Sequence, residues 1–149
     1  MNRRRWTIAI PLALFIALPT LSTHSHTVLH VPASTTTDGG LQMTIPFDFF
    51  IGGEAQKAGD YVIAPICDKQ IALRSTHSQT AEMVLTNAIE AGADSAAPRL
   101  VFHRYGSKYF LTQVWLRASE EGRELYVSPE EINMAREYRQ EQVFLVPKK

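Results

Sequence analysis

Cysteine is almost absent: Cys67 stands alone in a chain of 149 residues. No intramolecular disulfide can form, so burial has to supply what bridges often supply in small exported domains. Charge of one sign is missing as well, with 15 basic residues against 15 acidic ones, well interspersed. Past Arg3-Arg4-Arg5 the chain has no basic block except the terminal Lys148-Lys149. Nucleic-acid binding shows itself as a basic patch or stripe, so no nucleic-acid partner is expected. Long hydrophobic runs are lacking too. The longest, residues 6–18, falls short of the roughly 20 apolar residues of a spanning helix, and Pro11 interrupts it. No G-x-S-x-G, H-E-x-x-H, P-loop, dinucleotide fingerprint or paired-cysteine motif occurs. Neither a reaction nor a cofactor is indicated.

What is there begins with an address. Arg3-Arg4-Arg5, the apolar run to Leu18, and then Pro19, Thr20 and Ser22 follow the layout of a secretory signal peptide, with cleavage expected after Ser22. The chain is therefore expected to be exported, to the periplasm or beyond. Its one membrane contact would be the signal segment, were it left uncleaved. Without residues 1–22 the count is 12 basic against 15 acidic residues, a net charge of −3. The remaining length suffices for one domain and is too short for two.

Residues 23–40, rich in Thr, Ser and His and closing on Asp38-Gly39-Gly40, read as a flexible lead-in with at most one weak strand. A single β-rich domain is expected over residues 41–149. Leu41, Met43, Ile45, Phe47 and Phe49 alternate with Gln42, Thr44, Pro46 and Asp48, the period of a half-buried strand. Pro46 favours an edge or a bulge there. Residues 61–66 and 70–74 flank Asp68-Lys69 as a hairpin, residues 80–87 form a further strand, and residues 88–98 form a loop. Residues 100–105 and 108–116 flank Gly106-Ser107, which suits a type II′ turn. That register sets Arg104 opposite Tyr109, His103 opposite Phe110 and Phe102 opposite Leu111. One face then carries Leu100, Phe102, Leu111 and Trp115, and the other Val101, Phe110, Val114 and Leu116. Apolar on both faces, the pair should be covered on both sides.

The C-terminal region is the expected cover. Ser128-Pro129-Glu130-Glu131 combines a cap, a first-turn proline and a capping-box glutamate. A helix to about Gln142 would carry an apolar stripe of Ile132, Ala135 and Tyr138, and residues 143–146 would form a final strand before Pro147. The fold class is mainly β: a small antiparallel barrel or sandwich of about seven strands, with one C-terminal helix and a final strand.

Ile45-Pro46-Phe47-Asp48-Phe49, Ala58-Gly59-Asp60-Tyr61, residues 100–106, Tyr109-Phe110-Leu111 with Val114-Trp115, and Gly122-Arg123-Glu124-Leu125 resemble, in this order, an uncharacterised family of small exported bacterial proteins. The chain departs from that pattern between Gly52 and Lys57, where an apolar residue and a proline usually precede the Ala-Gly pair. The resemblance implies export and one β-rich domain, and it carries no catalytic or binding residue across.

Chemistry-bearing residues are few. His24, His26 and His30 form an H-x-H-x3-H cluster, a weak metal candidate whose plainer role is a solvated linker. His103, Arg104, Tyr105 and Tyr109 form the densest cluster of functional side chains in an ordered region. Arg104 would suit an anion and His103 an acid or base, but adjacent strand residues point to opposite faces. The plainer reading stacks Arg104 on Tyr109 and sets His103 beside Phe110. A salt bridge from the Arg123-Glu124 turn to Arg104 or Lys108 would be a structural device, Asp48 and Asp60 suit solvent-facing or turn positions, and Cys67 suits a small, partly buried hydrophobe. Three functions follow. The first is a non-enzymatic domain binding a protein or small-molecule partner. The second is a carrier of a small apolar ligand in a barrel mouth lined by Phe47, Phe49, Phe102, Phe110 and Trp115. The third is a hydrolase built from scattered His and carboxylate residues.

Overall fold

Alternating burial begins at Leu41 as the sequence requires, with Leu41, Met43 and Ile45 all 1% exposed or less. The computed structural model describes residues 25–35, 40–78, 80–90, 97–117 and 121–148. The signal segment and His24 lie outside the described residues. In chain order the elements are β1 (His26–Val31), β2 (Ala33–Thr35), β3 (Leu41–Ile45), β4 (Phe49–Ile51), β5 (Glu54–Gln56), β6 (Gly59–Cys67) and β7 (Gln70–Ser75). They continue with β8 (Ala81–Glu90), β9 (Arg99–Tyr105), β10 (Lys108–Trp115), β11 (Glu121–Leu125), α1 (Pro129–Glu137) and β12 (Gln140–Pro147).

The strands order as β1-β12-β9-β10-β11-β8-β7-β6-β3-β2, with β4 placed on β10 and β5 on β4. The result is a nearly closed, barrel-like sheet, antiparallel except where β1 meets β12 and β4 meets β10. Two segments make the corners by changing partners part-way, a known route from one sheet to another. Residues 81–85 of β8 pair with β7, and residues 86–90 pair with β11. At the opposite seam β1 lies along β12, and after Pro32 the chain crosses to pair as β2 with β3. Lys148 N donates to Val31 O at 2.9 Å and Thr44 N to Pro32 O at 3.1 Å, so both sides of the seam are tied. The expected flexible lead-in is thus corrected over residues 26–35: they close the sheet, and Val31 lies in the core. Their polar composition hid this because a closing strand exposes most of its side chains and gains its hold through backbone pairing.

Further departures follow along the chain. The expected strand through Phe49 breaks after Ile45, and β4 joins the opposite wall; Pro46, without an amide to donate, stands at the break. The hairpin register holds from Arg104–Tyr109 to Phe102–Leu111, with Gly106 at φ +61° where a type II′ turn needs it. A bulge then follows between Leu111 and Gln113, and Thr112, buried there, donates its hydroxyl to Val101 O at 3.0 Å. One extra residue reverses the phase of everything after it. Val114 and Leu116 therefore join Leu100, Phe102 and Leu111 inside, while Trp115 turns outward. Trp115 covers Gly122, where a Cβ would come within 2.6 Å of its ring, and Arg99 lies 4.2 Å over the same indole. β11, absent from the sequence expectation, is the strand that this contact needs.

The helix starts as expected: Ser128 Oγ accepts from Glu131 N at 3.2 Å, and Pro129 occupies the first turn. It ends five residues early, at Glu137, because Tyr138 is extended and Gln140 already pairs with Tyr105 of β9. The expected apolar stripe is not buried, since Ile132 and Tyr138 remain 45% and 48% exposed. Glu131 is the helix residue that is buried. Cys67, expected to be partly buried, is exposed.

Inside, rings from several strands fill the space between the walls. Phe102 meets Phe47 at 5.2 Å and Phe49 at 5.6 Å, both edge-to-face, and Phe49 meets Tyr61 at 5.4 Å. The aromatics that suggested a ligand-bearing mouth pack on one another, an arrangement that stabilises a core. Phe110 and Trp115, by contrast, sit on the outer face of β10.

Candidate functional site

The hairpin and the bulge decide where the candidate side chains go. His103 and Tyr105, two residues apart on β9, share the outer face, and the first turn of α1 brings Glu131 down between them. His103 Nδ1 lies 2.8 Å from Glu131 Oε1, and the Tyr105 hydroxyl lies 3.3 Å from the same oxygen and 3.2 Å from Gln140 Oε1. An ionised carboxylate only accepts, so His103 donates to it from Nδ1 and the Tyr105 hydroxyl donates to the same oxygen. Phe110 stands opposite His103 as expected, with its ring 5.8 Å from Tyr105 and stacked on Phe50 at 5.0 Å. The sequence shows Glu131 only as a capping-box residue; its partner lies 28 positions away and has no local signature.

Arg104 and Tyr109 face the other way. The guanidinium sits 5.7 Å above the Tyr109 ring, donates from Nε to Gly106 O at 2.8 Å, and lies 3.4 Å from Glu141. Tyr109 also stacks on Phe47 at 3.8 Å. The four residues singled out in the sequence therefore split between two faces, as strand alternation requires, and form no common pocket. His103 with Glu131 resembles the base-and-orienter half of a hydrolytic site. Among the described residues no hydroxyl or thiol nucleophile contacts that imidazole.

Burial, then the neighbouring Glu131 charge, pushes the Tyr105 phenol from its ordinary 10 up to about 12. In the unfolded chain that phenol ionises near pH 10, while in the folded chain it holds its proton. Its contribution to stability is therefore complete below about pH 10 and lost as pH rises to about 12, a loss of about 2–3 kcal/mol. Burial also raises the Tyr61 phenol, so ultraviolet titration should show late-ionising tyrosines, of which Tyr105→Phe removes the latest. Glu131→Gln should lower the Tyr105 ionisation point only part-way, because burial is the larger cause.

The remaining candidates separate as well. Asp48 pairs with Lys57 Nζ at 2.8 Å and accepts from Ala58 N at 2.9 Å, which holds its carboxyl below the usual range. Asp60 lies in β6 and accepts from the Thr44 hydroxyl. The two carboxylates thus serve different local structures. Arg123 reaches Asp68 O and lies 3.1 Å from Glu121, while Arg104 and Lys108 pair with Glu141 and Glu130 rather than with Glu124. His26 lies in β1 against Phe144, ring centres 5.9 Å apart, and His30 is exposed on the same strand. Among the described residues no group of three His, Cys, Asp or Glu side chains is placed to hold a metal ion, and no helix is long and apolar enough to cross a membrane.

One surface feature had no sequence candidate. Where β8 leaves β7 for β11, a groove of about 370 Å³ opens between Met83-Val84-Leu85, Gly52 and the Leu125-to-Pro129 segment. Met83 is 69% exposed, Leu85 56%, Tyr126 59% and Val127 57%. Tyr126 is held in place by a 2.9 Å hydrogen bond to Asn87 Oδ1. The hint in the sequence was the unbroken apolar run Met83-Val84-Leu85, which leaves neither face of β8 polar there. Comparisons with protein-family models, with curated proteins and with solved structures found no match to this chain.

Proposed function

We propose that this chain is an exported protein, periplasmic or secreted, whose β domain acts without catalysis by holding another molecule on its surface. The signal layout of residues 1–22 and the resemblance to small exported proteins support the location. The binding reading rests on the exposed apolar groove at the β8 corner, because contiguous apolar surface rimmed by polar residues marks interaction sites. The packed interior rings speak for surface contact rather than ligand carriage.

Expression in a bacterial host, fractionation, intact-mass measurement and crosslinking test this reading. A processed chain outside the cytoplasm should retain a crosslinked partner that Met83→Asp with Leu85→Asp loses, while the circular dichroism of the variant is unchanged. Full-length chain in the cytoplasm, or equal partner retention by both proteins, overturns it.

A further inference from the structure

The backbone phase of β1 leaves one of its edges open. Gln142 N donates to Ser25 O at 3.3 Å and Lys148 N to Val31 O at 2.9 Å. Along a strand, residues whose N–H and C=O groups bond one neighbour alternate with residues that turn theirs away. Ser25, Thr27, Leu29 and Val31 therefore face β12, and Val28 and His30 turn their backbone groups to the other side. β1 stands at the end of the strand order, so no strand of the described residues pairs with Val28 or His30 there. The chain reaches β3 only from Pro32 onward.

Three features of this edge select a second copy of the chain. The first is symmetry, because His26-Thr27-Val28-Leu29-His30 reads nearly alike in both directions. Antiparallel pairing about a two-fold axis at Val28 sets Val28 on Val28 of the second copy and His26 on its His30. The second is the absence of a guard. Exposed edges are protected by charged side chains, proline or a bulge, and residues 26–31 hold no Lys, Arg, Asp, Glu or Pro and pair with β12 in unbroken register. The third is an apolar row on the outer face. Val101 of β9, Phe144 of β12 and Val28 of β1 are successive cross-strand neighbours, and the row ends on Val28, 54% exposed. A two-fold axis continues that row into its own image and covers the exposed valine.

We propose that β1 is the interface of a symmetric homodimer, in which the β1 strands of two copies pair antiparallel about Val28 and join the two sheets into one. Val28 of each copy exchanges two backbone hydrogen bonds with its counterpart. One edge strand is a small contact beside the about 1,000 Å² of a stable interface, so the dimer forms and dissolves with concentration. It uses a different surface from the β8 groove and is independent of it.

Sedimentation velocity and amide hydrogen exchange of the purified protein, over a dilution series, test the pairing. The mass should rise towards that of two copies with concentration, and the amides of Val28 and His30 should gain protection in step. Those of Thr27 and Leu29, already turned to β12, should change far less. A charge exchange tests the register. His26→Lys with His30→Lys sets like charges opposite each other across the axis and should weaken the dimer at least about tenfold, a difference of about 1.4 kcal/mol. His26→Lys with His30→Glu sets opposite charges there and should restore it. Met83→Asp with Leu85→Asp, at the groove, should leave the association unchanged. A single-copy mass at every concentration overturns the proposal. Protection of Val28 and His30 that ignores concentration assigns the edge to another segment of the same chain and also overturns it. Association that the groove variant removes, or that both histidine variants affect equally, places the contact elsewhere and does the same. If a histidine variant fails to fold, the exchange pattern of the unsubstituted protein still decides.

Discussion

A chain that lacks residues 25–35 should lose its cooperative fold. Six residues of β1 lie along β12 and three of β2 along β3, so the deletion opens the sheet on both sides of one seam. Each net backbone hydrogen bond contributes about 0.5–1.5 kcal/mol, and burial of Val31 adds about 1.5–3 kcal/mol. The total approaches the whole stability of an ordinary domain, about 5–15 kcal/mol. The exposed edges of β12 and β3 would then favour association. Circular dichroism, denaturant melts and sedimentation of the truncated protein read the effect. An unchanged melting midpoint would show that the seam contributes nothing. Val31→Asp tests the same point without shortening the chain, by placing an unpaired charge in the core.

Phe102→Ala is expected to cost about 3–5 kcal/mol, the largest effect of any single truncation inside the barrel. Phe102 is fully buried and holds edge-to-face contacts with both Phe47 and Phe49, so its loss leaves a cavity and removes two ring pairs. Phe144→Ala is the control: its ring lies on the outer side of β12 against His26 and is only partly buried. Its loss should cost clearly less. Denaturant midpoints with a constant slope compare the two. A cost below about 1 kcal/mol for Phe102→Ala is too small for a fully packed ring. Such a result would return the interior to consideration as a ligand space.

Much of this architecture was legible because local rules dominate it. Gly106-Ser107 set the β9–β10 register, since a two-residue turn leaves one pairing open to it. Ser128-Pro129 marked the helix start, because the cap and the missing amide act within one turn. The Arg104–Tyr109 stack followed from that same register. The bulge at Thr112 was not legible: a run apolar on both faces hides a one-residue phase change, and Trp115 changed sides without any signal in polarity. Glu131 could be read as a capping residue but not as the partner of His103 and Tyr105, because that contact depends on how α1 settles on β9.

The sequence by itself determined a mainly β chain free of disulfides, its central hairpin and its helix start, all properties of composition or of neighbours a few positions apart. Tertiary structure alone decided that residues 26–35 close the sheet, that β8 serves two neighbours in turn, and that an apolar groove opens beside residues 83–85. Backbone pairing is blind to side-chain polarity, so a Thr- and His-rich segment can become a closing strand. The groove beside β8 opens where β11 stops, and no residue near Met83 records that endpoint.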